Sequence, residues 1–279
     1  MQRRVGLIGC GTIGTELAIA IDSGKVKNAF LVGLFDEVRH AADSLKSRLQ
    51  NSQPMVFTTF KQFASNPCFI ETDVIVEAAS QQAVRDFAKS IVAAGKKLII
   101  MSVGALVDGL FFSDLLQSAS IHGSSIYLPS GALGGIDAIR SARHLTDSLT
   151  LTTTKNPKSF IGTPGFKNGK YDSSVLSEKI VIFEGPASEA VKKFPLNVNV
   201  AGLLSLAGIG FEKTRVKVVA DPSIQVNQHQ ILAKGKFGEI SVTVRNVPSE
   251  NNPKTSYLAV LSAIESLNSI CNPDIRIGT

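Results

Sequence analysis

The sequence predicts an α/β chain: a doubly wound parallel sheet in the N-terminal half, a second and smaller mixed α/β domain after it, and a C-terminal helix that returns to the first domain. Three observations predict this. Short apolar, β-branched runs alternate with helical patterns over the first 130 residues, and a Gly-x-Gly-x-x-Gly stretch follows the first run directly. After Ser130 the rhythm changes to strands that alternate apolar with polar residues. The expected division is residues 1–130 with 250–279 in one domain and 131–249 in the other.

Taken in order, runs 5–8, 30–35, 74–76, 98–101 and 126–128 read as parallel strands. Between them Ile13, Leu17 and Ile21 share a helical face, as do Val38, Ala41, Leu45 and Leu49, and as do Val84, Phe87, Ala88 and Ile91. Each face would cover the sheet. Later, Leu149 and Leu151 alternate with threonines, 179–183 is an apolar run, and 215–219 alternates charge with valine. Segments 230–233 and 239–244, around Gly235-Lys236-Phe237-Gly238, have the form of a hairpin. A last helical pattern, Tyr257, Val260, Leu261, Ile264 and Leu267, follows a polar loop that contains proline.

The chain's 279 residues suffice for two domains, each with a core. Lys plus Arg number 29 against 23 Asp plus Glu, a formal charge of +6 that no basic tail concentrates. That surplus suits an acidic small substrate and a phosphate-bearing cofactor. No aromatic-rich basic stretch stands ready to stack bases, so nucleic acid is not an expected partner. The longest apolar stretch, 98–107, is too short to span a bilayer, so no membrane partner is expected either. Arg3 and Arg4 lead straight into a strand, which leaves no cleavable signal region to expect. Cys10, Cys68 and Cys271 are an odd number without paired spacing; neither a disulfide framework nor a metal site is expected, and a reducing cytoplasm fits them.

Gly9-Cys10-Gly11-Thr12-Ile13-Gly14 follows a strand and opens a helix, the context in which this pattern marks a Rossmann dinucleotide site. Gly9 permits the tight turn, Gly11 lets backbone approach the pyrophosphate, and Gly14 lets helix pack on strand; Thr12 and Ile13 supply the first amides of the helix. Asp36 ends the second strand about 20 residues after the motif, where a carboxylate accepts both ribose hydroxyls. Asp36 followed by Glu37 would repel a 2′-phosphate, so NAD is the expected cofactor; Arg39 and Lys46 nearby leave NADP use open. Glu77-Ala78-Ala79-Ser80 and Ser102-Val103-Gly104-Ala105 each follow a strand, and their small residues would let a cofactor lie close to backbone. For Ser80, a helix N-cap is an equal reading.

Beyond this fingerprint, an ordered series of segments resembles the L-aspartate dehydrogenase family over nearly the whole chain. It comprises Glu77-Ala78-Ala79-Ser80-Gln81, Ser102-Val103-Gly104-Ala105-Leu106, Ser130-Gly131-Ala132-Leu133-Gly134-Gly135-Ile136-Asp137-Ala138, Asn197-Val198-Asn199-Val200-Ala201, Asp221-Pro222, Asn227-Gln228-His229 and Asn252-Pro253-Lys254-Thr255-Ser256. The resemblance implies oxidation of L-aspartate with NAD or NADP to iminoaspartate, which becomes oxaloacetate and ammonia or feeds the making of quinolinate. It implies an active-site histidine in an Asn-x-His motif, here His229; cofactor contacts at Ala132 and Asn199; a substrate contact at Ser130; and a homodimer. Gln230 and Gly202 depart from the residues expected after the two Asn motifs.

If the strand after Asp221-Pro222 is extended, Asn227 and His229 point to one face. A neutral imidazole near its usual pKa of about 6.5 can take a proton from the substrate ammonium or activate the water that attacks the imine. A dicarboxylate substrate also needs cationic or donor groups, which Lys155-Asn156-Pro157-Lys158 and Lys254, Thr255 and Ser256 offer, the latter near a helix start. Two alternatives stand beside this reading. One is a related two-domain reductase of another imine or aldehyde, although Cys68 and Cys271 are poorly placed as nucleophiles and no paired-histidine and lysine site is found. The other is an NAD-sensing Rossmann protein without turnover.

Overall fold

The computed structural model describes residues 2–166, 176–195, 199–249 and 252–272, with the side chains of 252–255 set aside. The chain divides into two compact units: one holds residues up to Pro129 together with those from Val260 on, the other is Ser130–Ala259.

The first unit alternates strand and helix: β1 (Arg3–Ile8), α1 (Thr12–Asp22), β2 (Ala29–Phe35), α2 (Arg39–Ser47), β3 (Met55–Phe57), α3 (Phe60–Ala64), α4 (Pro67–Glu71), β4 (Val74–Glu77), α5 (Gln81–Ala93), β5 (Lys97–Ile100), α6 (Gly109–Ile121) and β6 (Ile126–Tyr127). Among the described residues its strands pair parallel in the order β3-β2-β1-β4-β5-β6. The order reverses between β1 and β4, so their carboxyl ends flank the crevice in which doubly wound sheets bind ligands. All four residues of β4 are buried, as in a strand covered on both faces. Strand β3 was not expected from the sequence: it is three residues long at the sheet edge and only Phe57 is buried, too little for a period-2 signal. Helix α2 is shorter than its pattern, because Val38 serves as the exposed N-cap residue and Leu49 is buried beyond the last turn.

One core of this unit joins Val5, Leu7, Leu31 and Val74 of the sheet to Leu17 and Ile21 of α1 and Leu45 of α2. Ala263, Leu267 and Ile270 of α10 (Tyr257–Cys271) belong to the same core, so the C-terminal helix does return to the first sheet. A second core is aromatic, with Phe60 stacked on Phe87 at 4.4 Å between centroids and Phe63 edge-on to Phe69 at 5.3 Å. Phe63 lies so close to the sheet that a Cβ on Gly6 or Gly33 would stand 2.8 Å from its ring.

In the second unit α7 (Ile136–Ala142) precedes β7 (Thr146–Lys155), then come β8 (Ile180–Pro186), α8 (Ala187–Lys193), α9 (Asn199–Ala207), β9 (Arg215–Ala220), β10 (Asn227–Gly235), β11 (Gly238–Asn246), and the short pair β12 (Pro248–Ser249) and β13 (Asn252–Ser256). The described strands make a mixed sheet in the order β11-β10-β7-β9-β8, with β7 and β9 parallel and the other pairs antiparallel. The hairpin turns on Lys236 and Phe237, with Gly235 paired to Gly238. Leu149, Leu151, Val216, Val218, Ile231 and Ala233 form the buried face, and Leu149 meets Gly208 and Ile139 there.

Leu267→Ala should destabilise the protein by about 2–5 kcal/mol, because a fully buried side chain would leave a cavity in the first unit's core. A shift in the denaturation midpoint measures it; no shift would detach α10 from that core.

Candidate active site

The glycine loop between β1 and α1 has the geometry its residues dictate. Gly9 adopts φ +92°, and a Cβ there would lie 2.7 Å from the carbonyl oxygen of Ala78. A Cβ on Gly14 would collide with the Gly9 carbonyl, so α1 packs on the loop only because that side chain is absent. Around Gly11, by contrast, a Cβ would meet nothing within 4 Å. Gly11 is also the N-cap of α1 and offers no side chain to cap it, so the first-turn amides of Thr12 and Ile13 stand at a helix N-terminus without a capping group. An approachable loop beside uncapped amides suits a pyrophosphate.

Gly9, Gly11, Asp36, Ala78, Ala79 and Ser80 line one cavity of about 340 Å³, at the lower end of the volumes of about 300–1,000 Å³ typical of ligand sites. Val38, Ala83 and Phe87 supply apolar wall; the sequence pattern assigns Val38 and Phe87 to sheet-covering faces and does not single out Ala83. Asp36 accepts from the backbone N–H of Cys10 on one carboxylate oxygen and of Val38 on the other, both at 2.8 Å. Each oxygen then keeps one acceptor position, which matches the two hydroxyls of a ribose. The residues therefore fit a dinucleotide. Ser80 is both N-cap of α5, accepting from the Ala83 N–H at 3.1 Å, and part of the cavity wall. Cys10 is no nucleophile: burial, then the Asp36 charge, pushes its thiol up to about 12.

Behind the cavity, Glu77 is buried. Its carboxylate accepts from the Ala79 and Ser80 N–H groups at 2.8 and 2.9 Å and from the Ser102 N–H and hydroxyl at 3.0 and 2.9 Å. Burial raises its pKa and the four donors oppose that; three are N–H groups with nothing to accept, so the pocket is built for the anion.

In the second unit one end of the sheet is polar and closed to water. His229 and Thr153 are cross-strand partners on β10 and β7, and the Thr153 hydroxyl lies 3.1 Å from Nδ1 of His229. Asn227, two residues before His229 on the same face, donates to the Ser256 hydroxyl at 3.3 Å, and opposite it on β11 Asn246 donates to the Ala132 carbonyl at 3.1 Å. All of these side chains are buried. So is Lys155, at the end of β7, which shares the face of Thr153.

The sequence-based expectation for His229 needs correction. Burial, and second the neighbouring Lys155 cation, hold its pKa at about 3 rather than about 6.5, so the imidazole is neutral throughout the working range. Burial alone lowers Lys155 to about 8. A signal for Lys155 was present: it continues the inward series Leu149, Leu151, Thr153, where period 2 buries a lysine. Asn227 also lines a second recess of about 240 Å³ with Asn156, Lys158 and Gln225.

Of the other expected contacts, Ala132, Asn199 and Ser130 belong to the second unit, as does Ser256, which joins the polar cluster. Lys254 and Thr255 have backbone in β13, but their side chains lie outside the described residues, as do Asn197 and Val198 altogether. Among the described residues no group of His, Cys, Asp and Glu could hold a metal ion, and no helix is long and apolar enough to cross a membrane.

Comparison with known proteins follows the same division. Residues 137–270 match the model of the aspartate dehydrogenase C-terminal domain, and residues 9–129 that of the homoserine dehydrogenase NAD-binding domain. Over 278 residues, all of both chains, the protein is 45% identical to the L-aspartate dehydrogenase of Nitrosopumilus maritimus. The chain belongs to the aspartate dehydrogenase family. The aspartate dehydrogenase of Methanosarcina acetivorans is also 45% identical, over 99% of each chain. A solved aspartate dehydrogenase structure, from Thermotoga maritima, superimposes over the whole of both chains with a TM-score of 0.74 at 27% identity. The match to the homoserine dehydrogenase NAD-binding domain thus covers the glycine loop and Asp36.

Two titrations should be visible in stability. Between pH 6.5 and about 3 the unfolded chain binds a proton at His229 that the folded chain does not, so stability falls with acid across that window. Relative to His229→Gln, the wild type should lose on the order of 4 kcal/mol over it, read from denaturant midpoints. Lys155 is depressed too, so its contribution rises with pH from about 8 to 10.5; relative to Lys155→Met, the wild type should gain about 3 kcal/mol over that window, read in the same way.

Proposed function

We propose that the protein oxidises L-aspartate with NAD to iminoaspartate, which water converts to oxaloacetate and ammonium, or runs the same reaction in reverse. The observation that carries this is an intact Asn227-x-His229 pair inside a buried polar cluster, in a chain 45% identical end to end to an L-aspartate dehydrogenase. NAD, bound through Gly9, Gly11, the Thr12 and Ile13 amides and Asp36, supplies the hydride acceptor.

The second unit supplies binding and proton handling. Thr153 engages Nδ1 of His229 and orients the ring, which leaves Nε2 for substrate or water. A neutral imidazole hydrogen-bonds the water that adds to the imine without placing another cation beside Lys155. Asn227 spends one amide hydrogen on Ser256 and keeps its carbonyl for the substrate ammonium. Lys158, on the recess that Asn227 also lines, offers a cation for one substrate carboxylate. NAD is preferred over NADP because Asp36 and Glu37 both face the cavity, while Arg39 is engaged by Asp43 at 3.1 Å.

Absorbance of reduced cofactor should appear with L-aspartate and not with D-aspartate, L-glutamate or L-alanine; turnover of none, with NAD still bound, would reject the assignment. His229→Asn should lower kcat about 10²–10³-fold, the cost of losing one preorganised hydrogen-bonding group, and leave the NAD dissociation constant unchanged, as measured by cofactor titration. Asp36→Ser should weaken NAD binding about 10–100-fold while sparing NADP, since it removes charged acceptors from the ribose.

A further inference from the structure

We infer that Lys155 is a catalytic residue: its side-chain amine takes the proton from the α-ammonium group of the substrate, with His229 beside it as a neutral hydrogen-bonding partner. This deepens the reading of the protein as an amino-acid dehydrogenase and rests on it.

The argument begins with placement. Lys155 ends the central strand β7, which lies between β10 and β9. Thr153, on the same face, pairs with His229 of β10 on one side and Val218 of β9 on the other, while Lys155 itself pairs with Ala220. From β10 it meets His229, whose ring feels the lysine charge. After β9, Asp221 donates its backbone N–H to the Lys155 carbonyl at 3.0 Å and turns its own carboxylate to the Ser223 N–H and hydroxyl. Lys217 pairs in register with Thr152, on the opposite face, and is near Glu184 at 3.8 Å. A lysine is thus carried into a water-excluded pocket next to the motif histidine, where a leucine would pack at lower cost.

Chemistry supplies the reason. Cα cannot release hydride while its nitrogen is an ammonium, because the lone pair that forms the C=N bond is held by a proton. In the step assigned to Lys155 one N–H bond of the substrate ammonium breaks and one forms on Nζ; the positive charge passes to the lysine and the lone pair returns to the substrate nitrogen. After hydration of the imine, the Lys155 ammonium returns its proton to the departing ammonia. Addition of water to the iminium and loss of ammonia free one further proton, which passes to solvent, so each turnover consumes one water and releases NADH, ammonium and one proton with charge in balance. His229, at about 3, is too weak a base to hold that proton, whereas an amine near 8 is matched to it.

The test combines kinetics with direct titration. In the wild type, kcat/KM for L-aspartate should rise with pH through an inflection near 8. Lys155→Met and Lys155→Arg, neither able to accept the proton, should lose about 10²–10⁴-fold and the inflection with it, with NAD affinity retained. In the NAD-free protein, the lysine Cε resonance that disappears in Lys155→Arg should titrate about two pH units below the other lysines. Turnover by Lys155→Met within tenfold of wild type, with its inflection intact, overturns the role while leaving the dehydrogenase reading in place. So does an ordinary lysine titration. Failure of the wild type to oxidise any amino acid overturns both.

Discussion

One buried carboxylate organises the carboxyl edge of the first sheet. Glu77 gathers donors from the turn after its own strand and from Ser102 after the next, so the segments following β4 and β5 are held to one point. Each strand end leaves backbone N–H groups that a parallel ladder cannot pair, and a single anion satisfies three of them out of reach of water. Asp36 repeats the device at β2, binding the N–H of Cys10 across the glycine loop. The wall of the cavity beside that loop is therefore held by the protein's own hydrogen bonds, which lowers the ordering entropy that binding would otherwise bear.

The second sheet uses the opposite device. At its polar end a cation and an imidazole are withdrawn from water, and withdrawal itself sets their proton affinities: both fall, by different amounts from different starting points. A histidine and a lysine, ordinarily about four units apart, stay separated by about five, with the lysine brought toward the working pH and the histidine taken out of it. This division of labour costs stability. Such a cost is expected where an environment is shaped for reaction rather than for packing.

The two units carry different kinds of group. The first lines its cavity with a glycine loop, backbone amides and one carboxylate, groups that need no change of protonation. The second buries titratable side chains whose proton affinities burial lowers. Two separate family models follow the same line, a homoserine dehydrogenase NAD-binding domain over residues 9–129 and an aspartate dehydrogenase C-terminal domain over 137–270.

Much of this was legible in the residues. The alternation of strand and helix, the tight turn at Gly9, the close packing at Gly14, the place of Asp36 after β2, the hairpin after Asn227 and the return of α10 are local or periodic properties, dictated by sterics and by which positions repeat every 2 or 3.6 residues. Strand β3 escaped because three residues carry no period, and Lys155 was read only as a cation or donor for the substrate because its neighbour His229 is 74 positions away and meets it only through the β7 to β10 register. The sequence by itself determined the two-part architecture, the dinucleotide loop and the identity of the motif histidine. Only the tertiary structure decided that this histidine is neutral and that a lysine beside it titrates near 8, because a pKa is set by desolvation and neighbouring charge, which exist only once distant strands have closed around the group.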